Sequence, residues 1–207
     1  MKSKVLSMAF FFVLILTNMG SAATGPTDTL RPVLTDVTAV LSDESLKGDE
    51  HTEERRAKIM EHVKKGFDFR EMSQRVLGRT WRTIDEAERV HFTELMTKLL
   101  ENVYIGKLEG YSGQTVEYAG ERVKDDRAQV TTFIENNGVK IPVHYIMKKN
   151  EQSWMVYDIN IEGVSLVRNY QEQFKAILRK EKYAGLVRTL EEKNKSFLTP
   201  EPKSQND

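Results

Sequence analysis

Apolar residues in the first half of the chain recur every three or four positions, which is the spacing of amphipathic helices. The pattern predicts a helix over residues 27–41, then a charged linker, a helix capped by Thr52, and a short helix over 68–77. A capping box of Thr83 and Glu86 is expected to begin a longer fourth helix. Its inner face carries Phe92, Leu95, Met96, Leu99 and Val103.

The period changes to two after residue 113, where β-branched and aromatic residues alternate with polar ones. Four strands are predicted, over residues 115–121, 127–135, 139–148 and 154–161. The short turns between them require antiparallel neighbours. Pro142 lacks a backbone donor, so the third strand is expected at a sheet edge or with a bulge at that residue.

Helical spacing returns after Ser165, which is predicted to cap a helix, and a last helix is expected over residues 183–193. The order of elements is helices, then an antiparallel meander, then helices. This order predicts an α+β fold in which the helices pack on one face of a twisted antiparallel sheet of about four strands.

The two ends of the chain differ from its middle. Two lysines precede an apolar run of about twelve residues, which is too short to cross a bilayer, and small residues follow at 21–23. Residues 1–23 are therefore predicted to be a cleaved signal peptide, with a single membrane anchor as the alternative. Residues 24–198 should form one domain, and the polar segment 199–207 should be a disordered tail. Among the compartments to which a signal peptide can direct a protein, the bacterial periplasm fits best.

The composition argues against several kinds of site. The 207 residues include no cysteine, which excludes thiolate metal centres and cysteine nucleophiles, and four histidines make a histidine-rich metal site unexpected. The 31 basic and 31 acidic side chains balance, so no basic footprint for nucleic acid is present. The glycine loop of phosphate-binding sites and the common hydrolase motifs do not occur in the sequence.

Asp158 is the carboxylate that the pattern singles out. It lies in the middle of the fourth predicted strand among apolar and aromatic neighbours, where an ionised group is costly unless it is hydrogen-bonded. In a sheet-lined pocket such a group could act as a general base. The favoured interpretation is structural: the carboxylate accepts hydrogen bonds from a neighbouring helix end or an arginine.

Three stretches of the sequence match motifs of a known protein family and occur in the same order. The longest is residues 154–174, WMVYDINIEGVSLVRNYQEQF. The other two are Phe67-Asp68-Phe69 with Met72, Leu77-Gly78 and Trp81, and Leu186-Val187 with Leu190 and Lys193. Together they resemble the MlaC family, also called the toluene-tolerance auxiliary proteins, whose pattern is W-x-V-Y-D-V-x-V-E-G-V-S-L-V-x-N-Y-R-x-Q-F. Gln171 departs from this pattern, because the family commonly has arginine there, and any partner or headgroup contact of that arginine is in doubt.

The resemblance implies a periplasmic carrier whose cargo is phospholipid, without catalysis or a cofactor. Such a monomer would move glycerophospholipid between an outer-membrane lipoprotein complex and an inner-membrane ABC transporter with an MCE-domain subunit, and so maintain the lipid asymmetry of the outer membrane. The resemblance also implies an NTF2-like cradle, in which the acyl chains enter an apolar cavity between helices and sheet. Exposing an acyl chain costs about 0.8 kcal/mol per CH₂, so a carrier needs apolar area rather than catalytic residues.

Apolar residues that face inward are the candidates for lining this cavity. On the helices they are Val76, Leu77, Trp81, Leu99, Val103, Val164, Val167, Tyr170 and Phe174. On the sheet they are Tyr118, Phe133, Val143, Tyr145, Ile159 and Ile161. Two other functions are open: a periplasmic enzyme with Asp158 as its base, and a chaperone whose apolar groove takes protein segments.

Overall fold

The structure, a computed structural model, describes residues 24–105, 115–136, 138–151 and 153–198. The predicted signal peptide and tail, and the glycines that were expected to separate the helices from the sheet, lie outside these residues. Within the described part of the chain, no helix combines the length and the hydropathy needed to cross a membrane.

The predicted helices are present. They are α1 (Pro26–Ser42), α2 (Thr52–Gly66), α3 (Phe69–Leu77), α4 (Glu86–Leu100) and α5 (Leu166–Ser196). The charged linker between α1 and α2 forms two short 3-10 turns, Glu44–Leu46 and Asp49–His51. A 3-10 turn, Gly78–Arg82, follows α3, and a π-helical turn, Glu101–Ile105, follows α4. The residue that precedes α2 is His51, so the predicted cap at Thr52 is wrong by one position.

Helix caps were predicted with mixed success. Ser165 caps α5 as expected, and its hydroxyl accepts a hydrogen bond from a first-turn amide. The capping box of α4 is Asp85 and Glu88, two residues beyond the predicted pair. The Thr83 hydroxyl instead donates to the Thr80 carbonyl of the preceding turn, 2.9 Å away.

The two helices expected after Ser165 form one long element with a kink. At Lys182 the backbone has φ 62° and ψ −168°, a conformation that is essentially restricted to glycine. The helix resumes immediately, and the Tyr183 hydroxyl donates to the Glu88 carbonyl at 2.8 Å. The kink therefore lies at the predicted boundary between the two helices. The second half of α5 nevertheless stays packed against α4.

The sheet is antiparallel with strand order β1-β2-β3-β4-β5. The strands are β1 (Val116–Lys124), β2 (Arg127–Asn136), β3 (Val139–Lys149), β4 (Trp154–Ile161) and β5 (Val164–Ser165). The α+β prediction is confirmed, with one strand more than the four expected. Glu162 and Gly163 join β4 to β5 with φ values of 51° and 87°, the two positive values of a tight hairpin turn.

Pro142 lies in an interior strand, so the expected edge position is wrong, and the bulge in β3–β4 pairing lies at Ile146/Met147 instead. The Glu162 N–H donates to the Pro142 carbonyl at 3.3 Å. In an antiparallel strand the N–H and C=O of one residue point to the same neighbour. An N–H at residue 142 would therefore point towards the end of β4. The strand pairing stops there, so the absence of this donor removes no hydrogen bond from the ladder.

Most of the buried apolar side chains belong to two large clusters. The sheet cluster joins Leu30 of α1 to Ala128, Val130, Val143, Tyr145, Met147, Trp154 and Val156. The helical cluster joins α3, α4 and α5 through Met72, Val76, Leu77, Trp81, Ile84, Phe92, Met96, Leu99, Leu100, Tyr170, Phe174, Leu186 and Leu190. We call the sheet face that carries the sheet cluster the inner face; α1 packs against it.

Candidate functional site

Apolar side chains cross the inner face of the sheet in four rows, each joined by strand pairing. The rows are Ala128, Met147 and Val156; Val130, Tyr145 and Ile159; Tyr118, Thr132, Val143 and Ile161; and Val116, Ile134 and Ile141. The first row is fully buried, the second and third contain half-buried members, and the fourth is half-buried throughout. Burial therefore decreases towards the end of the sheet where β1 begins and β4 ends.

We call the half-buried part of this face the open end. Its members are Val116, Tyr118, Ile134, Ile141, Ile159 and Ile161. The apolar surface of a fully buried side chain is already covered by other residues of the protein. A half-buried side chain still exposes apolar area that a ligand can cover. The open end is therefore the part of the sheet best suited to an apolar ligand.

A second set of half-buried apolar residues lies against the helical cluster. Val103 and Tyr104 belong to the π-helical turn after α4, and Val167 lies in the first turn of α5. The Tyr104 and Tyr170 hydroxyls are hydrogen-bonded to each other, and burial raises the pKa of both phenols. This hydrogen bond joins the π-helical turn after α4 to α5.

The structure divides the predicted pocket residues by burial. Those already enclosed are Val76, Leu77, Trp81, Leu99, Val143, Tyr145, Tyr170 and Phe174. Those that are inward and half-buried are Val103, Tyr118, Ile159, Ile161 and Val167. The second group has the surface that a ligand needs.

Phe133 and Val164 do not face inward. On β2 the buried positions are Ala128, Val130 and Thr132, so alternation places Phe133 on the opposite face. Val164 is 56% exposed and lies in β5 rather than in a helix. For Phe133, the alternation of β2 from Ala128 onward decides against an inward position.

Three residues of the open end were missed from the sequence: Val116, Ile134 and Ile141. Each lies near an end of its strand and next to one charged residue, which is Glu117, Glu135 and Lys140 respectively. Ile134 was in phase with Ala128 and Val130, and this alternation was the signal that could have identified it.

Asp158 has a structural role. One carboxylate oxygen accepts the Ser165 hydroxyl at 2.6 Å, and the other accepts the Val167 backbone N–H at 3.0 Å. The side chain thus joins β4 to the first turn of α5, where a negative charge also complements the helix dipole. The interpretation as a helix-end acceptor is confirmed, and both oxygens are already occupied.

The long sequence motif is explained by this connection. Asp158 holds the start of α5, Glu162 and Gly163 make the hairpin turn, and Ser165 caps the helix. These polar residues of the motif build the junction between sheet and helix.

The one histidine in the described strands lies away from the inner face. The His144 ring lies on the outer sheet face, where Nδ1 is 3.0 Å from the Thr131 hydroxyl and 3.2 Å from the Gln129 amide. Among the residues that the structure describes, no group of three or more His, Asp or Glu side chains could hold a metal ion.

Comparison with known proteins identifies similar chains. The family model described as "MlaC protein" matches residues 31–192. A curated relative from Haemophilus influenzae, named as the intermembrane phospholipid transport system binding protein MlaC, is 26% identical over 124 residues. That alignment covers 57% of this chain and 58% of the relative, so it spans little more than half the relative's length.

A solved structure is similar over a larger share of the chain. It is the phospholipid-binding protein from Ralstonia solanacearum in complex with a phospholipid. The TM-score is 0.78 at 27% sequence identity, and the match covers 86% of this chain and all of the other.

Proposed function

Because this chain belongs to the MlaC family, we propose that it is a periplasmic phospholipid carrier without catalytic activity. It takes up a glycerophospholipid, hides the acyl chains and releases the lipid at another membrane. The observation that carries this proposal is the similarity of 86% of this chain to a solved phospholipid-binding protein in complex with a phospholipid.

The acyl chains are proposed to lie between the open end of the sheet and the half-buried residues of the helices. Ile159, Ile161 and Tyr118 supply the sheet side, and Val103 and Val167 supply the helical side. An acyl chain of about 16 carbons exposed to water costs on the order of 12 kcal/mol at about 0.8 kcal/mol per CH₂. Apolar area of this kind is therefore the main requirement for a carrier.

The enzyme alternative loses its main candidate base. Asp158 is buried, and each of its oxygens accepts a hydrogen bond at the sheet–helix junction, which is a structural role. The chaperone alternative has no observation in its favour comparable to the phospholipid complex of the structural neighbour.

The route is proposed from the family. Residues 1–23 act as a cleaved signal peptide, residues 24–198 form the single lipid-binding domain, and residues 199–207 form a tail. The monomeric carrier shuttles between an outer-membrane lipoprotein complex and an inner-membrane MCE/ABC transporter, and so helps to maintain outer-membrane lipid asymmetry.

A vesicle assay tests carriage directly. Residues 24–207 are mixed with donor vesicles that contain a fluorescent phospholipid and with unlabelled acceptor vesicles. The transfer rate is expected to rise in proportion to protein concentration, because each soluble molecule carries its own cargo. A folded protein that leaves transfer at the spontaneous rate would contradict the proposal.

A further inference from the structure

A polar groove lies where α3 ends. It has a volume of about 330 Å³ and is lined by Glu71, Gln74, Arg75, Gly78, Trp81 and Arg82. We propose that this groove binds an acidic segment of a protein partner by receiving one of its carboxylates. The proposal goes beyond lipid carriage, and its test does not depend on whether the chain carries lipid.

The groove's own carboxylate is neutralised. Glu71 accepts the Arg75 guanidinium at 2.7 Å and 3.0 Å through one oxygen, and Lys148 at 3.2 Å through the other. The Arg75 guanidinium also lies 3.9 Å above the centre of the Tyr157 ring, which fixes its position. Two cations therefore surround one anion, and the site has a net positive charge before any other residue is considered.

Further donors at the groove are unpaired. Arg82 is exposed, and no carboxylate of the described residues lies within ion-pair distance of it; the same holds for its neighbour Arg79. The side-chain amide of Gln74 is exposed and makes no hydrogen bond within the described chain. A guanidinium binds a carboxylate through two parallel hydrogen bonds, so Arg82 suits a carboxylate ligand.

Trp81 supplies a buried donor at the same place. Its side chain is only 6% exposed, and Arg70 and Arg89 lie 5.3 Å and 5.7 Å from its ring centre. The indole N–H has no acceptor among the described residues, and it is not one of the polar atoms that are fully shut off from solvent. A buried ring that keeps an unsatisfied N–H at a groove can donate to a ligand there.

A protein segment fits this groove better than a membrane surface. The exposed large apolar residues of the described chain are Val90, Val123, Val139, Val164, Phe197 and Leu198, and none of them lines the groove. A bilayer is bound by apolar anchors together with basic residues, whereas this site is concave and polar. An inserted acidic side chain matches both its shape and its charge.

Gln171 offers a way to strengthen the site. Its amide nitrogen lies 3.4 Å from the Arg75 carbonyl and 3.5 Å from where a Cβ on Gly78 would lie, so it borders the groove. Gln171 is exposed, and an arginine there can extend without displacing core residues. The Gln171→Arg variant therefore adds a cation at the rim.

The test uses the two tryptophans of the chain as paired probes. In ¹⁵N-labelled residues 24–207, the indole N–H signals of Trp81 and Trp154 are followed by NMR while N-acetyl tetraglutamate amide is added at low salt. The Trp81 signal is expected to shift saturably and the Trp154 signal to stay in place. Arg82→Ser should weaken binding about fivefold, the effect of one exposed charge pair, and Gln171→Arg should strengthen it by a similar factor.

Matched controls define the outcomes that would overturn the proposal. Arg122→Ser removes an exposed arginine on β1, the edge strand that lies two strands from β3 and its Lys148, and should leave the titration unchanged. N-acetyl tetraglutamine amide is the uncharged control peptide. If it binds as strongly as the tetraglutamate peptide, if tetraglutamate causes no shift, or if Arg82→Ser leaves the affinity unchanged, the groove does not recognise carboxylates. A Trp81 shift caused by phosphatidylglycerol vesicles or inorganic phosphate, but not by the acidic peptide, would assign the site to a lipid headgroup or a small anion instead.

Discussion

An Asp158→Ala variant is expected to lose about 3 kcal/mol of free energy of unfolding. Asp158 is 9% exposed, and its carboxylate accepts hydrogen bonds from the Ser165 hydroxyl and the Val167 amide. Hydrogen bonds to a charged group contribute about 1.5–3 kcal/mol each, and a buried donor left without a partner adds its desolvation cost. Loss of both bonds also removes the tie between β4 and the start of α5. Denaturant unfolding of the variant measures the change.

Two comparisons identify the cause of that loss. Asp126→Ala removes a carboxylate that is 58% exposed in the β1–β2 turn and should change the unfolding free energy by less than about 0.5 kcal/mol. Asp158→Asn keeps one acceptor oxygen and should lose about half as much as the alanine variant. If the alanine variant is as stable as the wild type, the account of the sheet–helix junction is wrong.

The same substitution separates carrier from enzyme. Asp158→Asn cannot act as a general base, so an enzyme that depends on this group would lose its activity. A carrier requires only that the protein is folded. We therefore expect the asparagine variant to transfer lipid at the wild-type rate per folded molecule in the vesicle assay.

An Ile161→Trp variant is expected to lose most of its bound lipid. Ile161 is half-buried at the open end and pairs with Val143 across the strands. The larger ring takes the space of about three methylene groups, and at about 0.8 kcal/mol each the lost burial is about 2.4 kcal/mol. This corresponds to roughly a sixtyfold loss of affinity. Lipid extracted per mole of purified protein measures the effect, and Val167→Trp should behave similarly from the helical side.

The control is Val123→Trp. Val123 is 52% exposed at the opposite end of the same sheet, so an added ring there projects into solvent. Its lipid content should equal that of the wild type. If Ile161→Trp folds and retains wild-type lipid, the acyl chains do not lie against the open end.

Periodicity was sufficient to predict the main elements because the helices and the strands β2, β3 and β4 each bury one face. The α4 stripe is an example: Phe92, Met96 and Leu99 are all buried in the helical cluster. The two-residue strand β5 was missed because two residues are too few to show a period. Its only signal is the turn at Glu162 and Gly163, whose positive φ values return the chain along β4.

The candidate site was harder to predict than the fold, because facing and burial are different properties. Val143 and Ile161 are paired neighbours on the same face, yet Val143 is 4% exposed and Ile161 is half-buried. The difference comes from the residues that lie above each of them, and those contacts are long-range in the sequence. The role of Asp158, in contrast, could be anticipated, because a carboxylate in an apolar strand needs donors and a helix start follows seven residues later.

The central claim is that this protein carries phospholipid. Native mass spectrometry of residues 24–207, exported to the periplasm and purified without detergent, tests it most directly. We expect a stoichiometric adduct of phospholipid mass, which lipid extraction then identifies as glycerophospholipid. A protein that is free of lipid, and that takes up none from phospholipid vesicles while folded, would contradict the claim.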